Sequence, residues 1–169
     1  MAKGAPAKTK QNVKDETPKS WQNRIVGTGT EAPDQLLANP KNWRVHPAAQ
    51  QEGLEEVLDR VGWVQNVVVN KRPGFMVDGH LRVTLAMRRG EPEVPVVYVD
   101  LSPQEEDMIL ASLDPIAMLA RPDQTKLEEL IGSVAQGDPM TAEILKRIAQ
   151  DAKALPYETE DVQAHWEGM

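Results

Sequence analysis

The chain has no cysteine among its 169 residues, which excludes a disulfide framework, a thiolate zinc site and a cysteine nucleophile together. An intracellular setting fits that absence. Aromatic residues are scarce as well. Trp21, Trp43, Trp63, Phe75, Tyr98, Tyr157 and Trp166 are all there are, so the core has to be aliphatic. Four of these seven fall between residues 43 and 98, which marks that stretch for the tightest packing. No apolar run approaches the roughly 20 residues a membrane helix needs, and no apolar segment follows the N-terminal lysines as a signal peptide would require. The expectation is a chain that neither spans a membrane nor is secreted through a signal peptide. The only histidines, His46, His80 and His165, are too far apart for the short ligand spacings of a zinc site.

A length of 169 residues, 40% of them hydrophobic, is enough for one domain with an ordinary core. Charge is distributed unevenly. Residues 1–24 carry six lysines and arginines against two acids, a balance of +4, while residues 25–169 carry 13 against 24, a balance of −11. The net −7 therefore combines a basic tail with an acidic body, and the body as a whole repels phosphate backbones. The tail, rich in Lys, Ala, Pro and Thr, reads as a solvated disordered segment. Contact with nucleic acid is its functional alternative.

Residues 1–33 lack periodicity and carry Gly27, Gly29 and Pro33, so order is expected to begin near Asp34. Pro47 suits a helix start, and Leu54, Val57, Leu58 and Val61 recur at helical spacing before Gly62, which predicts an amphipathic helix over 47–61. The β-branched run 63–70, the Pro73-Gly74 turn and residues 75–77 read as a hairpin. A helix follows the Asp78-Gly79-His80 turn and ends at Arg88, Arg89 and Gly90, where the cations suit the helix dipole. A strand is predicted over 94–99. Ser102 with Glu105 forms a capping box for a helix that Asp114-Pro115 is expected to stop.

Two further apolar stripes, Leu127 to Val134 and Ile144 to Ile148, predict a helical hairpin. Its second helix offers only Lys146, Arg147 and Lys153 against Glu143 and Asp151, so it reads as a packing or dimerisation element rather than a DNA reader. Beyond Leu155-Pro156 the chain is acidic and ends in His165-Trp166, a docking segment or a frayed end.

The stretch with most chemistry is Asp78-Gly79-His80-Leu81-Arg82. A helix that starts directly after a glycine turn at a strand end points free N–H groups and its positive dipole outward, making an anion site. His80 and Arg82 add donors suited to phosphate or carboxylate. Asp78 beside such a site caps the helix, holds a cation such as magnesium, or acts as a base toward a hydroxyl. In the alternative structural reading, Asp78 is only a cap and Arg82 pairs with a surface acid. Asn39 and Asn42 read as turn residues, Trp63 as a cover for the core, and the methionines as core fillers.

The order of Asn39-Pro40-x-Asn42-x-Arg44, Gly62-Trp63-Val64-Gln65, a hairpin, Asp78-Gly79-His80-x-Arg82 and Val94-Pro95-Val96 resembles the N-terminal domain of the ParB and sulfiredoxin superfamily over residues 34–120. The resemblance implies an α/β fold, a small mixed sheet flanked by helices, to which this chain adds a C-terminal helical hairpin. The implied organisation is a basic tail and linker over 1–33, the ParB/sulfiredoxin-like domain over 34–120, the hairpin over 121–155 and an acidic tail over 156–169. Partition-type ParB proteins usually read Gly-Glu-Arg-Arg at the turn that binds nucleotide phosphates. The Asp-Gly-His-x-Arg version looks more like ParB-like proteins of phages, of prophages and of DNA methyltransferase neighbourhoods, and like free-serine kinases of the superfamily.

Two departures limit what carries over. The Glu-Asn-x-x-Arg element that completes the CTP site of partition proteins is replaced by Ala111-Ser112-Leu113-Asp114-Pro115, and sulfiredoxin activity is excluded because there is no cysteine. One Asp and one His at a turn also do not supply the converging carboxylates of a two-metal nuclease.

Three readings stay open. In the first, a phage or mobile-element ParB-like protein binds a nucleotide (CTP, ATP or ADP) or another phosphate ligand and acts as an adaptor in DNA-associated processes. Phosphate then rests on the amides at Gly79, His80 and Leu81, His80 and Arg82 donate to it, Arg44 reaches the same pocket and Asp78 holds Mg2+. In the second, a small phosphotransferase or nuclease uses Asp78 as base or metal ligand. In the third, the pocket is vestigial and the chain is a protein-interaction module. The implied partners are DNA, through the basic tail or a partner protein, and a second copy of the chain. The implied location is the cytoplasm of a bacterial or phage-infected cell.

Overall fold

The computed structural model describes residues 20–152. The basic segment before residue 20 and the acidic segment after 152, with its docking reading, lie outside the described residues. The elements run β1 (Ile25–Glu31), a 3-10 turn (Pro33–Gln35), α1 (Ala48–Val61), β2 (Val67–Asn70), β3 (Met76–Asp78), α2 (His80–Arg89), β4 (Val94–Val99), α3 (Pro103–Met118), α4 (Gln124–Gly137) and α5 (Pro139–Ala152). The four strands form one sheet in the order β1-β4-β2-β3. β1 is antiparallel to β4, β4 parallel to β2, and β2 antiparallel to β3. The sheet is therefore mixed, as expected, and helices flank it.

The core lies where one face of the sheet meets α2. Val67 and Val69 of β2, Met76 of β3 and Val94 and Val96 of β4 are buried together with Val83 and Ala86 of α2. Alternate strand residues point the same way, so the i, i+2 valines of β2 and β4 share one face. Leu36, Trp63 and Tyr98 pack against the edge of this cluster. Each fully buried valine stabilises the fold by about 1.5–3 kcal/mol, so an aliphatic core suffices for a chain with few aromatics.

Order begins earlier than Asp34. Residues 25–31, expected to be part of a linker, pair with β4 from Ile25↔Val99 to Glu31↔Val94. Gly27 and Gly29 are what make this strand look like a linker, and in the fold the Tyr98 ring lies over both. The tyrosine hydroxyl donates to Glu31. Just before the strand, Arg24 donates to the Asp100 carbonyl at 3.0 Å and to Glu105 Oε2 at 2.8 Å. Backbone pairing and these clamps hold β1, while most of its side chains are exposed. A strand exposed on both faces leaves no alternating hydrophobic pattern to read.

A second correction concerns α3, which runs through Pro115 to Met118 instead of stopping at Asp114. Proline removes one helix hydrogen bond and normally costs about 3 kcal/mol in a helix interior. Tertiary contacts offset this here. The Trp43 indole N–H donates to the Leu110 carbonyl at 2.8 Å, and Arg44 pairs with Asp114. The turn that leads into the proline is thereby tied to the loop before α1.

The helical hairpin forms as α4 and α5, with Asp123 capping α4 through the Lys126 amide. α5 also docks on α1, where Gly53 lets the helices approach. A β-carbon at Gly53 would sit 2.6 Å from Ile148 Cδ1 and 3.5 Å from Ile144 Cγ2.

Candidate functional site

The β2–β3 hairpin delivers the chain to Asp78 and Gly79, where α2 starts. Gly79 has φ 96° and ψ 10°, a left-handed conformation. A β-carbon there would lie 3.1 Å from Val67 Cα and 3.3 Å from the Arg82 guanidinium, so the turn depends on glycine for backbone and for space. The Val83 amide donates to the Gly79 carbonyl at 3.0 Å, and no side chain caps the helix. Asp78 is therefore not the cap. The N–H groups at the start of α2 lack helical partners and carry the positive end of the dipole.

These residues line a cleft of about 640 Å³, within the size range of small-molecule sites. The structure brings Asp78, Gly79, His80, Leu81, Arg82 and Arg44 to this one cleft. The loop before α1 adds Trp43 and His46, and α3 adds Asp114 and Met118.

Both arginines are already paired. Arg82 donates to Asp78 Oδ2 at 2.8 Å and to Gln65 Oε1 at 2.9 Å, and Arg44 pairs with Asp114. An incoming anion thus meets two arginines and two carboxylates, and has to displace a carboxylate or bring a cation with it. Asp114 was assigned no role in the site by sequence reasoning beyond stopping α3. It sits 70 residues from Arg44, and only the fold brings the two together.

His80 is buried, 8% exposed. The Asn39 backbone N–H donates to its Nε2 at 3.2 Å. A backbone amide can only donate, so Nε2 holds the lone pair and the neutral ring carries its proton on Nδ1. Burial, and next the nearby Arg44, lower its pKa below the ordinary 6.5, with Asp78 opposing and His46 adding to the lowering. At neutral pH His80 is therefore an uncharged donor and adds no positive charge to the cleft.

Asn39, expected as a turn residue, does more than turn the chain. Its side chain accepts from the Lys41 amide and donates to Glu106 Oε1 at 2.9 Å. Glu106 also accepts from Asn70 Nδ2 at 2.5 Å, and Asn70 is bonded to both backbone groups of Leu101. All three side chains are buried. The sheet, α3 and the loop are thus linked through hydrogen bonds to His80, and that polar network holds the ring in place. Sequence reasoning missed Glu106, because one Glu in an acidic helix carries no local signal.

Among the described residues, four buried side-chain polar atoms have no hydrogen-bond partner: His46 Nε2, His80 Nδ1, Arg82 Nε and Gln124 Oε1. The first three belong to residues of this cleft. Orphaned buried polar atoms are uncommon and costly, and their concentration here marks a site that wants a polar occupant. No group of three His, Asp or Glu side chains converges on a metal position among the described residues.

No protein-family model and no curated protein matches the sequence. Solved structures do. The fold is similar to the C-terminally truncated chromosome-partitioning protein ParB from Caulobacter crescentus, solved in complex with CTP-gamma-S, at 20% identity and a TM-score of 0.55 over 85% of this chain and 86% of that one. Two structures of a pNOB8-like ParB N-domain are also similar. One has 16% identity and a TM-score of 0.48 over 80% of this chain and 67% of that one; the other has 16% and 0.46 over 82% and 63%. The likeness to the Caulobacter structure establishes a ParB-like fold.

Proposed function

We propose that the chain is a ParB-like protein of the phage or mobile-element type that binds a nucleotide or another phosphate ligand at the start of α2 and acts as an adaptor in DNA-associated processes. The uncapped helix start, surrounded by three orphaned buried nitrogens, carries this reading. The phosphate rests on the amides of Gly79, His80 and Leu81. Arg82 and Arg44 turn from their aspartates toward it, and His80 donates through Nδ1. The CTP-gamma-S bound to the Caulobacter ParB supports a nucleotide as the ligand.

In this reading Asp78 holds a magnesium ion. Because no group of three His, Asp or Glu side chains converges on a metal position among the described residues, the ion takes most of its oxygens from ligand phosphates and water, as magnesium commonly does. The chain brings in DNA through its basic N-terminal segment or through a partner protein, and self-association is part of the same reading. The acidic body, in which Arg44, Arg60, Arg72, Arg82 and Arg89 are paired with carboxylates, favours contact through the tail over contact through the body.

Calorimetric titration of the full chain with CTP, ATP and ADP, with and without magnesium, tests the reading. Binding by the wild type and its loss in Arg82→Ala are expected. A folded wild type that binds none of the three overturns it and favours a partner-binding module.

A further inference from the structure

α5 carries the chain to the cleft. It runs antiparallel to α1: Asp138 pairs with Arg60 at 2.9 Å, Thr141 donates to Glu56 at 3.1 Å, and Ile144 and Ile148 lie against Gly53. Ala152 follows Ile148 by one further turn, about 6 Å along the helix, which brings the end of α5 to the first turn of α1. Gln50 of that turn, and Leu54 after it, line the cleft. Residues 153–169, which lie outside the described residues, therefore leave the fold beside the cleft. They carry Glu158, Glu160, Asp161 and Glu167 against Lys153, a balance of −3. Three of these carboxylates fall within residues 158–161, and the stretch from Ala152 to Glu158 reaches up to about 20 Å when extended.

The cleft holds donors without acceptors. His80 is 8% exposed, and its Nδ1, which carries the ring proton because Nε2 accepts from the Asn39 amide, has no partner. The Arg82 Nε is likewise buried and unpartnered, and no side chain caps the amides at the start of α2. These groups only donate, whereas a carboxylate only accepts. We propose that the acidic segment 158–161 docks in the cleft of its own chain, its carboxylates accepting from the amides at the start of α2, from His80 and from Arg82. The proposal rests on the same donors as the phosphate reading above and names an occupant that the chain itself supplies. Tethered this closely, the segment meets the cleft at an effective concentration on the order of millimolar, so contacts too weak to hold a free peptide suffice. A phosphate ligand then has to displace it.

The test compares the full wild-type chain with a full chain carrying Glu158→Gln, Glu160→Gln and Asp161→Asn, by amide NMR without added ligand and by calorimetric titration with inorganic tripolyphosphate. Neutralising the segment is expected to shift the amide signals of Gly79, His80 and Leu81 and to strengthen tripolyphosphate binding about two- to tenfold. A second variant, Glu55→Gln, Glu93→Gln and Glu129→Gln, changes the net charge equally at exposed positions outside the cleft and is expected to do neither. Unmoved signals at residues 79–81 overturn the docking, as does a measurable tripolyphosphate affinity that neutralising the segment raises no more than the second variant does. Shifts that disappear on dilution assign the segment to the cleft of another copy and overturn the contact within one chain. Amide shifts with no tripolyphosphate binding by either protein leave the docking standing and overturn the phosphate site.

Discussion

Replacing Gly79 with alanine tests whether the turn that opens α2 at the candidate site depends on glycine for backbone, for space, or for both. At φ 96° and ψ 10° an L-residue costs about 1–2 kcal/mol in backbone energy alone. The new methyl would lie 3.1 Å from Val67 Cα and 3.2 Å from Val67 Cγ2. Val67 is fully buried in the middle of the sheet and cannot retreat, so forced repacking adds about 1–3 kcal/mol. The expected total is about 2–5 kcal/mol, a large part of a small domain's stability. Gly90 supplies the control, because it is also left-handed, with φ 77°, but an added β-carbon there meets nothing within 4 Å. Gly90→Ala should cost only the backbone term, about 1–2 kcal/mol. Urea denaturation followed by circular dichroism measures both. If Gly79→Ala is no more destabilising than Gly90→Ala, the steric argument fails, and with it the claim that Val67 dictates glycine at the site.

Three further outcomes follow from the geometry. Asp114→Asn frees Arg44 from its acidic partner and should strengthen magnesium-free binding of tripolyphosphate roughly two- to fivefold; unchanged or weaker binding in calorimetry would show that the pair does not hold Arg44 back. Hydrogen bonding from Arg24, and next from the Ser102 amide, lowers the Glu105 pKa from 4.5 to about 2. Its stabilisation of the β1 clamp is therefore complete above pH 4.5 and lost as pH falls toward 2, so Glu105→Gln should flatten the urea-measured stability profile across that window. Introducing a bulky side chain at the α1–α5 contact with Gly53→Leu should destabilise by about 1–3 kcal/mol. Gly53→Ala should change little, because its helix-propensity gain of about 1 kcal/mol offsets displacement of the Ile148 tip.

The elements with strong local chemistry were readable without the fold. Ser102 and Glu105 form the reciprocal capping box that their spacing predicts, at 3.3 and 2.8 Å. The glycine turn before α2 and the cations at its end lie where the pattern put them. Strand β1 was not readable, because it is held by backbone pairing and by Tyr98 and Arg24 from outside, and it shows no apolar alternation. The stop expected at Pro115 failed for a related reason: a local breaker was overruled by contacts from Trp43 and Arg44, whose partners lie 67 and 70 residues away.

The candidate site divides in the same way. Residues 78–82 are contiguous, and a strand, a glycine and a helix start are enough to suggest a candidate anion site from sequence alone. Their order with Arg44 and the later strand was also enough to suggest a ParB-like α/β fold. Only the tertiary structure decided that both arginines face aspartates, that His80 is a neutral donor oriented by Asn39 and Glu106, and that Trp43 opens into the same cleft. The reason is range. Helix caps, turns and periodicity act over a few residues and leave their mark in the sequence, whereas ion pairs, tautomers and burial depend on side chains from segments far apart along the chain, which only folding brings within reach.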